Sequence, residues 1–152
     1  MALWLMKSEP DTFGYPDLVK AERAGWDGVR SLQARTFLRA MQVGDLAIFY
    51  HSSTNPPGAA GICTIVGTAE PDPTQFDPAG HYYDPTSDPA KPKWDWVTVA
   101  PVRALRRYVP LAELRTLPEL AGSRLVAKAN RLSVIPFSQD EFDAVVRASE
   151  RD

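Results

Sequence analysis

Two short apolar runs on either side of a proline-rich turn constrain the fold of this chain more than any other feature. The runs are Leu46–Tyr50 and Gly61–Val66, and Asn55-Pro56-Pro57-Gly58 lies between them. Because proline fixes φ and glycine admits turn conformations, the chain has to reverse there. The pattern predicts an antiparallel hairpin with mostly buried strands. The first strand leads directly into His51 and Ser52, whose position at a strand end suits the lining of a pocket.

The other periodic segments predict further strands and short helices. Ser31 suits the N-cap of one helix, and Ser138 with Glu141 forms an S-x-x-E capping box before another. Besides the hairpin, the predicted elements are strands at Ala2–Met6, Trp94–Leu105 and Arg131–Pro136, helices at Pro16–Ala24, Leu32–Ala40, Leu111–Leu117 and after Ser138, and a loop with one helical turn at Leu120–Asn130.

The order of these elements limits the architecture. The predicted strands are not separated by regular helices, which argues against a doubly wound parallel sheet. We expect one α+β domain over residues 1–152, long enough for one hydrophobic core. Its sheet is predicted to be a small, strongly bent antiparallel sheet or partly open β-barrel, with short helices packed around it.

The segment Thr68–Lys93 fits neither a helix nor a strand pattern. It holds six of the fourteen prolines, a density that helices and central strands do not tolerate. Long loops in compact domains are usually functional or disordered. Phe76, His81, Tyr82 and Tyr83 within the segment favour a loop that packs onto the body of the domain.

The charge of the chain argues against a strong, sequence-blind DNA binder, since the net charge is −2 and the pI about 5.7. The charges are uneven. Residues 70–95 hold six acids and two lysines, net −4, whereas residues 98–137 hold seven Arg or Lys and two Glu, net +5. The second segment either supports modest contact with a phosphate backbone or carries charges scattered over a solvated surface.

Cysteine and histidine are too few for a disulfide or a metal cluster, since the chain has one Cys and two His. Cys63 lies in the second hairpin strand, which favours a small buried hydrophobe over a reactive thiol. The apolar run Met1–Met6 is too short for a signal peptide or a membrane span. We therefore interpret the chain as a cytoplasmic, bacterial-type monomer with no cofactor, no metal and no membrane contact.

Signatures of catalysis are weak. Adjacent residues on a strand point to opposite faces, so His51 is badly placed to activate Ser52. The sequence has no G-x-S-x-G motif, no P-loop and no G-x-G-x-x-G motif. We expect a protein that is not an enzyme, and a hydrolase that uses His51 is the less favoured alternative.

Polar strand ends and tryptophans favour a binding site instead. Lys7-Ser8 and His51-Ser52 end two strands, Trp26 lies in a loop between glycines, and Trp94 and Trp96 begin another strand. If these ends converge, they form a concave pocket with an aromatic floor, which suits a nucleobase. Core packing is the alternative for each indole; we favour it for at least one of Trp94 and Trp96, and the pocket for Trp26.

Several motifs in chain order carry a family resemblance. They are L-M-K-S-E-P at 5–10, W-D-G-V-R at 26–30, Q-A-R at 33–35, V-G-D at 43–45, Y-H-S at 50–52, the loop from Asp72-Pro73 to Asp84-Pro85, and R-L-S-V at 131–134. In this combination the sequence resembles the EVE domain family over nearly its whole length. The resemblance implies a PUA-like fold, a bent β-barrel with flanking helices related to YTH domains, and binding of modified bases in DNA or RNA.

The resemblance also implies which residues form the pocket. Carried over by position, they are Lys7, Ser8, Trp26, Val29, Arg30, Ser31, Tyr50, His51, Ser52, Arg131, Leu132 and Ser133. Trp26 would supply a stacking face, and Lys7 and Arg131 positive charge towards a phosphate or a carbonyl group. Ser8, Ser31, His51 and Ser52 would form hydrogen bonds with polar base edges.

Three positions depart from the usual family pattern. The family usually has Asn where this chain has Ser31 and Thr36, and an aromatic residue where it has Leu32. Asn pairs bidentately with a base edge, whereas Ser offers one hydroxyl group. We expect a non-catalytic module that recognises a modified nucleobase in DNA or RNA through an aromatic-floored pocket. The alternative is a metabolite-binding protein that uses the same pocket.

Overall fold

The computed structural model describes residues 1–127 and 131–151, which form one sheet with short helices around it. The strands are β1 (Leu3–Ser8), β2 (Ala24–Gly25), β3 (Leu46–His51), β4 (Gly58–Pro71), β5 (Asp95–Pro110) and β6 (Val134–Phe137). The α-helices are α1 (Pro10–Phe13), α2 (Tyr15–Ala21), α3 (Leu32–Ala40), α4 (Leu111–Leu114) and α5 (Gln139–Ser149), and 3₁₀ turns cover Pro73–Phe76 and Pro118–Leu120. Within these described ranges, no helix has the length and apolar character needed to cross a membrane.

The strands form a mixed sheet in the order β2-β5-β4-β3-β1-β6. The predicted hairpin is confirmed, since β3 and β4 pair antiparallel. The prediction of an antiparallel sheet is wrong for one pair, because β1 lies parallel to β3 with Ser8 opposite His51. Parallel neighbours need a long crossover, and residues 9–45, which contain the first three helices, supply it. The polar ends of β1 and β3 therefore lie at the same edge of the sheet.

Irregular pairing between β4 and β5 bends the sheet. The register between the two strands shifts at Ala59/Gly61, Ile62/Cys63, Ile65/Gly67 and Gly67/Glu70. Each shift of this kind kinks the strand and increases its local twist. As a result, the segment after β2 and the segment before β6 face the same cavity, although β2 and β6 stand at opposite ends of the strand order.

Alternating side chains divide the core into two clusters, one on each face of the sheet. Leu5 and Ile48 belong to the first cluster, Met6 and Phe49 belong to the second, and all four are fully buried. Helix α5 covers the first cluster and α3 covers the second. Because burial of each such side chain contributes about 1.5–3 kcal/mol, the sheet is stabilised from both faces.

The two helices with capping residues match their predictions. Helix α3 begins at Leu32 as predicted, and Ser31 Oγ accepts a hydrogen bond from the Ala34 N–H group at 3.3 Å. At α5, Ser138 Oγ accepts from the Glu141 N–H group at 3.1 Å, and the Glu141 carboxylate accepts from the Ser138 N–H group at 2.8 Å. Caps are predictable because they satisfy exposed N–H groups within a few residues of sequence.

Several other boundaries differ from the predictions, mainly where pairing with a distant strand decides them. In the structure, β1 continues through Lys7 and Ser8, Pro10–Phe13 forms an additional helix, Ala24–Gly25 is a strand, β5 continues to Pro110, α4 ends at Leu114 and β6 begins at Val134. The predicted loop at Leu120–Asn130 includes residues 128–130, which lie outside the described residues.

The proline-rich segment packs onto the domain, as predicted. Gln75 is fully buried; its amide N–H group donates to the carbonyl groups of Asp72 at 2.7 Å and Trp94 at 2.8 Å. The segment is built from Asp-Pro turns in which an aspartate oxygen accepts the N–H group two residues later, at Asp72, Asp77, Asp84 and Asp88. Such turns satisfy backbone groups locally, so the segment is ordered without long helices or strands.

The capping box of α5 gives a direct stability test. We expect Ser138→Ala to lower the free energy of unfolding by about 1 kcal/mol, because the first turn of the helix loses a side-chain acceptor. Urea denaturation measures this change. Gln139→Ala is the matched control: it removes only an exposed hydrogen bond to Asp143, and its effect should stay within about 0.5 kcal/mol. Equal losses in the two variants would contradict the assigned role of Ser138.

Candidate functional site

A cavity of about 1130 Å³ opens where five separate segments of the chain meet. These are the end of β1 with α1, the loop after β2, the turn after β3, the tip of the proline-rich loop and the residues before β6. Typical ligand pockets have volumes of about 300–1,000 Å³, so this cavity has room for a nucleotide-sized group.

The structure brings most of the predicted site residues together. The residues of that set that line the cavity are Lys7, Ser8, Trp26, Val29, Ser52, Arg131 and Ser133. Strand pairing explains their convergence, because β1 lies between β3 and β6 and all three have polar residues at this edge. Arg30, Ser31, Tyr50, His51 and Leu132 are not among the residues that line the cavity, and each has another role.

Three of these five residues serve the fold. Tyr50 is 3% exposed and belongs to the first core cluster; burial raises the pKa of its hydroxyl group to about 12. Ser31 caps α3, so its side-chain oxygen is engaged by the Ala34 N–H group. Leu132 is half-buried and packs against both core clusters. Sequence position alone does not reveal these orientations.

His51 is also engaged elsewhere. Its Nε2 atom accepts a hydrogen bond from the Tyr15 N–H group at 3.0 Å, and its ring lies edge-on to Phe49. A nitrogen that accepts this bond carries no proton, so the neutral ring has its proton on Nδ1. Burial lowers the pKa of His51, and the nearby carboxylate of Asp17 opposes that shift. This arrangement disfavours His51 as the base of a hydrolase.

Arg30 joins the proline-rich loop to the wall of the cavity. Its guanidinium group forms an ion pair with Asp72 at 3.1 Å and donates to Thr74 Oγ1 at 3.1 Å and to the Tyr82 carbonyl group at 2.9 Å. The Asp72 side chain is fully buried, while that of Arg30 is 22% exposed. Arg30 does not line the cavity itself but fixes the position of Tyr82, which does.

Gly28 allows the same loop to approach the cavity wall. Its φ angle is +78°, and a Cβ atom there would lie 2.5 Å from the Tyr82 ring. Its N–H group donates to the Asp72 carboxylate at 2.9 Å. Both the backbone conformation and the close aromatic contact require glycine at this position.

Trp26 belongs to the core and to the cavity at once. It is 6% exposed, packs edge-on against Phe49 with ring centroids 5.1 Å apart, and lines the cavity. Its indole N–H group has no hydrogen-bond acceptor among the described residues. The indole N–H groups of Trp4, Trp94 and Trp96 donate instead to Asp45, Asp84 and Glu70. Trp26 is thus the tryptophan whose donor is available to a ligand.

Positive charge enters the cavity from β1 and from the segment before β6. Lys7 is half-buried, its Nζ lies 5.9 Å from the centroid of the Tyr50 ring, and burial lowers its pKa. Arg131 is exposed at the rim. Within the described ranges, neither side chain forms an ion pair, so both charges are available to an anionic group of a ligand.

Sequence reasoning missed part of the lining. The additional lining residues are Glu9, Thr12, Phe13, Ala24, Gly25, Asp27, Gly28, Ser53, His81 and Tyr82. Their signals were present but not used for the site: Glu9 follows Lys7-Ser8 directly, Asp27 and Gly28 follow Trp26, and His81 and Tyr82 are two of the four aromatic side chains noted in the proline-rich loop. The wall is therefore more aromatic and more acidic than predicted.

Two tryptophans predicted to approach the pocket lie outside it. Trp94 is 6% exposed, which confirms that at least one of this pair is a core residue, and Trp96 packs its ring against Gly25. Cys63 is fully buried, and burial raises its pKa to about 12, which confirms a small apolar role for that side chain. Within residues 1–127 and 131–151, no group of three or more His, Cys, Asp or Glu could hold a metal ion.

The family model of the EVE domain matches residues 2–148. The chain belongs to the EVE domain family. Human thymocyte nuclear protein 1 is 41% identical over 167 residues, which cover 98% of this chain and 74% of that protein. A bacterial origin stays a prediction from the sequence, because the proteins similar to this chain are both eukaryotic and bacterial.

Three solved structures are similar to this chain to different degrees. A Pseudomonas putida protein gives a TM-score of 0.95 at 45% identity, covering 97% of this chain and 99% of that chain. Human THYN1 in complex with 5-methylcytosine-containing DNA gives 0.90 at 42% identity, covering 100% and 99%. The Zygosaccharomyces rouxii MRB1 YTH domain, in complex with N6-methyladenosine RNA, gives 0.55 at 10% identity, covering 98% and 86%. That last likeness concerns the fold alone.

The position of His51 predicts a pH dependence of stability. Well above about pH 6.5 the His51 imidazole is neutral in both the folded and the unfolded chain, so it makes no pH-dependent contribution to the free energy of unfolding. As the pH falls, the unfolded chain binds the proton first because the folded pKa is lowered, so the free energy of unfolding decreases. Urea denaturation at pH 7.5 and 5.5 should show a larger decrease for the wild type than for His51→Gln, whose amide oxygen still accepts from Tyr15.

An NMR titration provides the control for this prediction. The His51 resonance should titrate below the ordinary pKa of about 6.5. A titration at or above that value, or identical pH dependence in wild type and His51→Gln, would contradict the buried acceptor role.

The ion pair of Arg30 with Asp72 predicts a large stability effect. Arg30→Ala should lower the free energy of unfolding by about 2–3 kcal/mol in urea denaturation, because a fully buried carboxylate loses its cation; the partial exposure of Arg30 reduces the loss below that of a fully buried pair. Arg39→Ala breaks a more exposed ion pair with Asp95 and should cost less than about 1 kcal/mol. Similar losses for both would show that the Arg30 pair does not anchor the loop.

Proposed function

We propose that this chain is a non-catalytic module that recognises a modified nucleobase in DNA or RNA, and that the cavity is its binding site. The observation that carries the proposal concerns Trp26. The residue is only 6% exposed and lines the cavity, yet its indole N–H group has no acceptor among the described residues. The indole N–H group is not among the described side-chain atoms that are both buried and unpaired, so it is open at the cavity and can donate to a ligand.

The composition of the wall supports a base as the ligand. Phe13, Trp26 and Tyr82 offer aromatic surface on which a base or its modifying group can pack, and base–aromatic contact contributes about 1–3 kcal/mol. Ser8, Ser52 and Ser133 add small polar groups beside it, although the Ser8 hydroxyl already donates to the Phe13 carbonyl group at 2.6 Å. Such a mixture of apolar and directional groups is typical of sites for flat, polar ligands.

Lys7 and Arg131 are proposed to contact the phosphates next to the bound base. With two phosphate contacts, the logarithm of the binding constant should fall against the logarithm of the salt concentration with a slope of about −1.4 to −1.8. The net charge of −2 keeps contact with unmodified nucleic acid weak, so affinity depends on the cavity. The crystallised chain of human THYN1, to which the whole of this chain is similar, was solved in complex with 5-methylcytosine-containing DNA, and this supports the choice of ligand class.

The finer features of fold and location belong to the same proposal. We place the bent sheet in the PUA-like class and propose that it forms a partly open barrel, because residues beside β2 and β6 share one cavity. A single domain that acts as a cytoplasmic monomer fits this reading. A metabolite-binding protein that uses the same cavity is the second candidate, and the size of the cavity is compatible with it.

The test compares two tryptophan substitutions of the same chemistry. Trp26→Phe keeps aromatic packing against Phe49 but removes the indole N–H group from the cavity, whereas Trp96→Phe removes an indole N–H group that donates to Glu70 outside it. We expect Trp26→Phe to weaken binding of a short duplex containing 5-methylcytosine about tenfold or more, and Trp96→Phe to leave it within about twofold. Fluorescence anisotropy measures both, and circular dichroism checks folding.

Two outcomes would overturn this proposal. One is unchanged binding by a folded Trp26→Phe variant. The other is wild-type protein that prefers no modified oligonucleotide yet binds a free metabolite tightly, which would favour the second candidate. Trp26→Ala is a poorer probe, because truncation of such a buried indole costs about 3–5 kcal/mol of stability.

A further inference from the structure

Asp27 is a carboxylate that opens onto the cavity directly beside Trp26. Its side chain accepts no hydrogen bond from any other described residue, although the same loop is held firmly by the Gly28 N–H bond to Asp72. Burial raises the pKa of Asp27, the carboxylate of Asp72 adds to that effect, and Arg30 opposes it. Asp27 therefore offers an exposed acceptor to the cavity, on a fixed stretch of backbone, directly after the residue that carries the unpaired donor.

The charges of the cavity are divided between two sides. Lys7 and Arg131 enter from β1 and from the segment before β6, whereas Asp27 follows β2, at the other end of the strand order. Glu9 adds a second carboxylate at the exposed rim. The carboxylates of Asp27 and Glu9 both lie close enough to the Tyr82 hydroxyl group to raise its pKa in addition to burial. A bound nucleotide would meet the cations of Lys7 and Arg131 and, on the β2 side of the cavity, the acceptor of Asp27.

A carboxylate and an indole N–H group select a particular base edge. An ionised carboxylate only accepts hydrogen bonds, and an indole N–H group only donates. Cytosine and adenine present an exocyclic amino group, which donates, next to a ring nitrogen, which accepts. Uracil, thymine and guanine present a carbonyl oxygen in place of that amino group, and in the same orientation this oxygen would face the carboxylate without a proton between them.

We propose that Asp27 and Trp26 together are the specificity-determining pair of the cavity, and that they select an amino-bearing base, a cytosine or adenine derivative, against its oxo counterpart. This inference rests on the proposed function and goes beyond it, because it assigns the chemical class of the base and the residues that discriminate it. Asp27 accepts from the exocyclic amino group, and Trp26 Nε1–H donates to the adjacent ring nitrogen. An oxo base in the same orientation would bring its carbonyl oxygen against the Asp27 carboxylate, so it would lose one hydrogen bond and meet a repulsive contact.

Four single-stranded DNA oligonucleotides that differ at one base separate the two proposals. The four bases are cytosine, 5-methylcytosine, uracil and thymine, and they differ in two independent features. 5-Methylcytosine and thymine carry a 5-methyl group that cytosine and uracil lack. Cytosine and 5-methylcytosine carry an amino group where uracil and thymine carry an oxo group. Single strands avoid differences in duplex stability. Preference for 5-methylcytosine over cytosine tests the proposed function. Preference for 5-methylcytosine over thymine tests the role of Asp27 and Trp26.

The variants are Asp27→Asn and Glu9→Gln, each of which removes one negative charge from the cavity. We expect wild-type protein to bind the 5-methylcytosine strand at least about fivefold more tightly than the thymine strand, in line with the discrimination that one good base contact provides. Asp27→Asn should bring this ratio within about twofold, because an amide both donates and accepts. Glu9→Gln should keep the ratio, even if both affinities rise through weaker repulsion of the phosphates.

The possible failures are distinguishable. A preference for methylated bases with no preference between 5-methylcytosine and thymine would overturn this inference and leave the proposed function standing. A ratio that Asp27→Asn leaves unchanged, or that Glu9→Gln abolishes equally, would also overturn it. Absence of binding to all four strands would overturn this inference, whereas binding of the 5-methylcytosine duplex by the wild-type protein would still support the proposed function. Asp27 is exposed, so Asp27→Asn should fold, and circular dichroism with thermal unfolding verifies this.

Discussion

The buried carboxylate of Asp72 is the interaction on which the geometry of the cavity depends. It binds Arg30 at 3.1 Å and accepts the Gly28 N–H group at 2.9 Å and the Thr74 N–H group at 2.8 Å. One side chain thus joins the end of β4, the loop after β2 and the proline-rich loop. Since buried charges are stable only when fully paired, these segments are fixed together or not at all. The positions of Trp26, Asp27 and Tyr82 follow from that constraint.

The fold was predictable from sequence where local chemistry decides it. Ser31 and the Ser138–Glu141 box marked their helices correctly, because capping bonds span only three residues. The hairpin of β3 and β4 followed from its turn. The parallel pairing of β1 with β3 was not predictable in the same way, since a strand carries no local mark of the direction of its neighbour. The short α1 was missed because it is stabilised within a tertiary arrangement rather than by periodicity.

In the candidate site, too, features decided by the local sequence were predictable and those decided by distant contacts were not. Polar residues at strand ends were sufficient to place Lys7, Ser8 and Ser52 near Trp26. His51 was misplaced because its ring nitrogen is used by the Tyr15 N–H group, a contact that depends on the turn between α1 and α2. Asp27 was overlooked although it adjoins Trp26, because sequence alone does not show which carboxylates lack partners. Side-chain orientation and hydrogen-bond partners, more than proximity, required the structure.

The central position of β1 has a consequence for synthesis of the chain. Its parallel neighbour, β3, emerges from the ribosome after about forty further residues, and its other neighbour, β6, emerges only after β5 and α4 have been made. Lys7 and Arg131 consequently meet only after the segment before β6 has been made. A nascent polypeptide exposes one unpaired edge of β1 throughout that interval, and the cavity is complete only once β6 has paired with it.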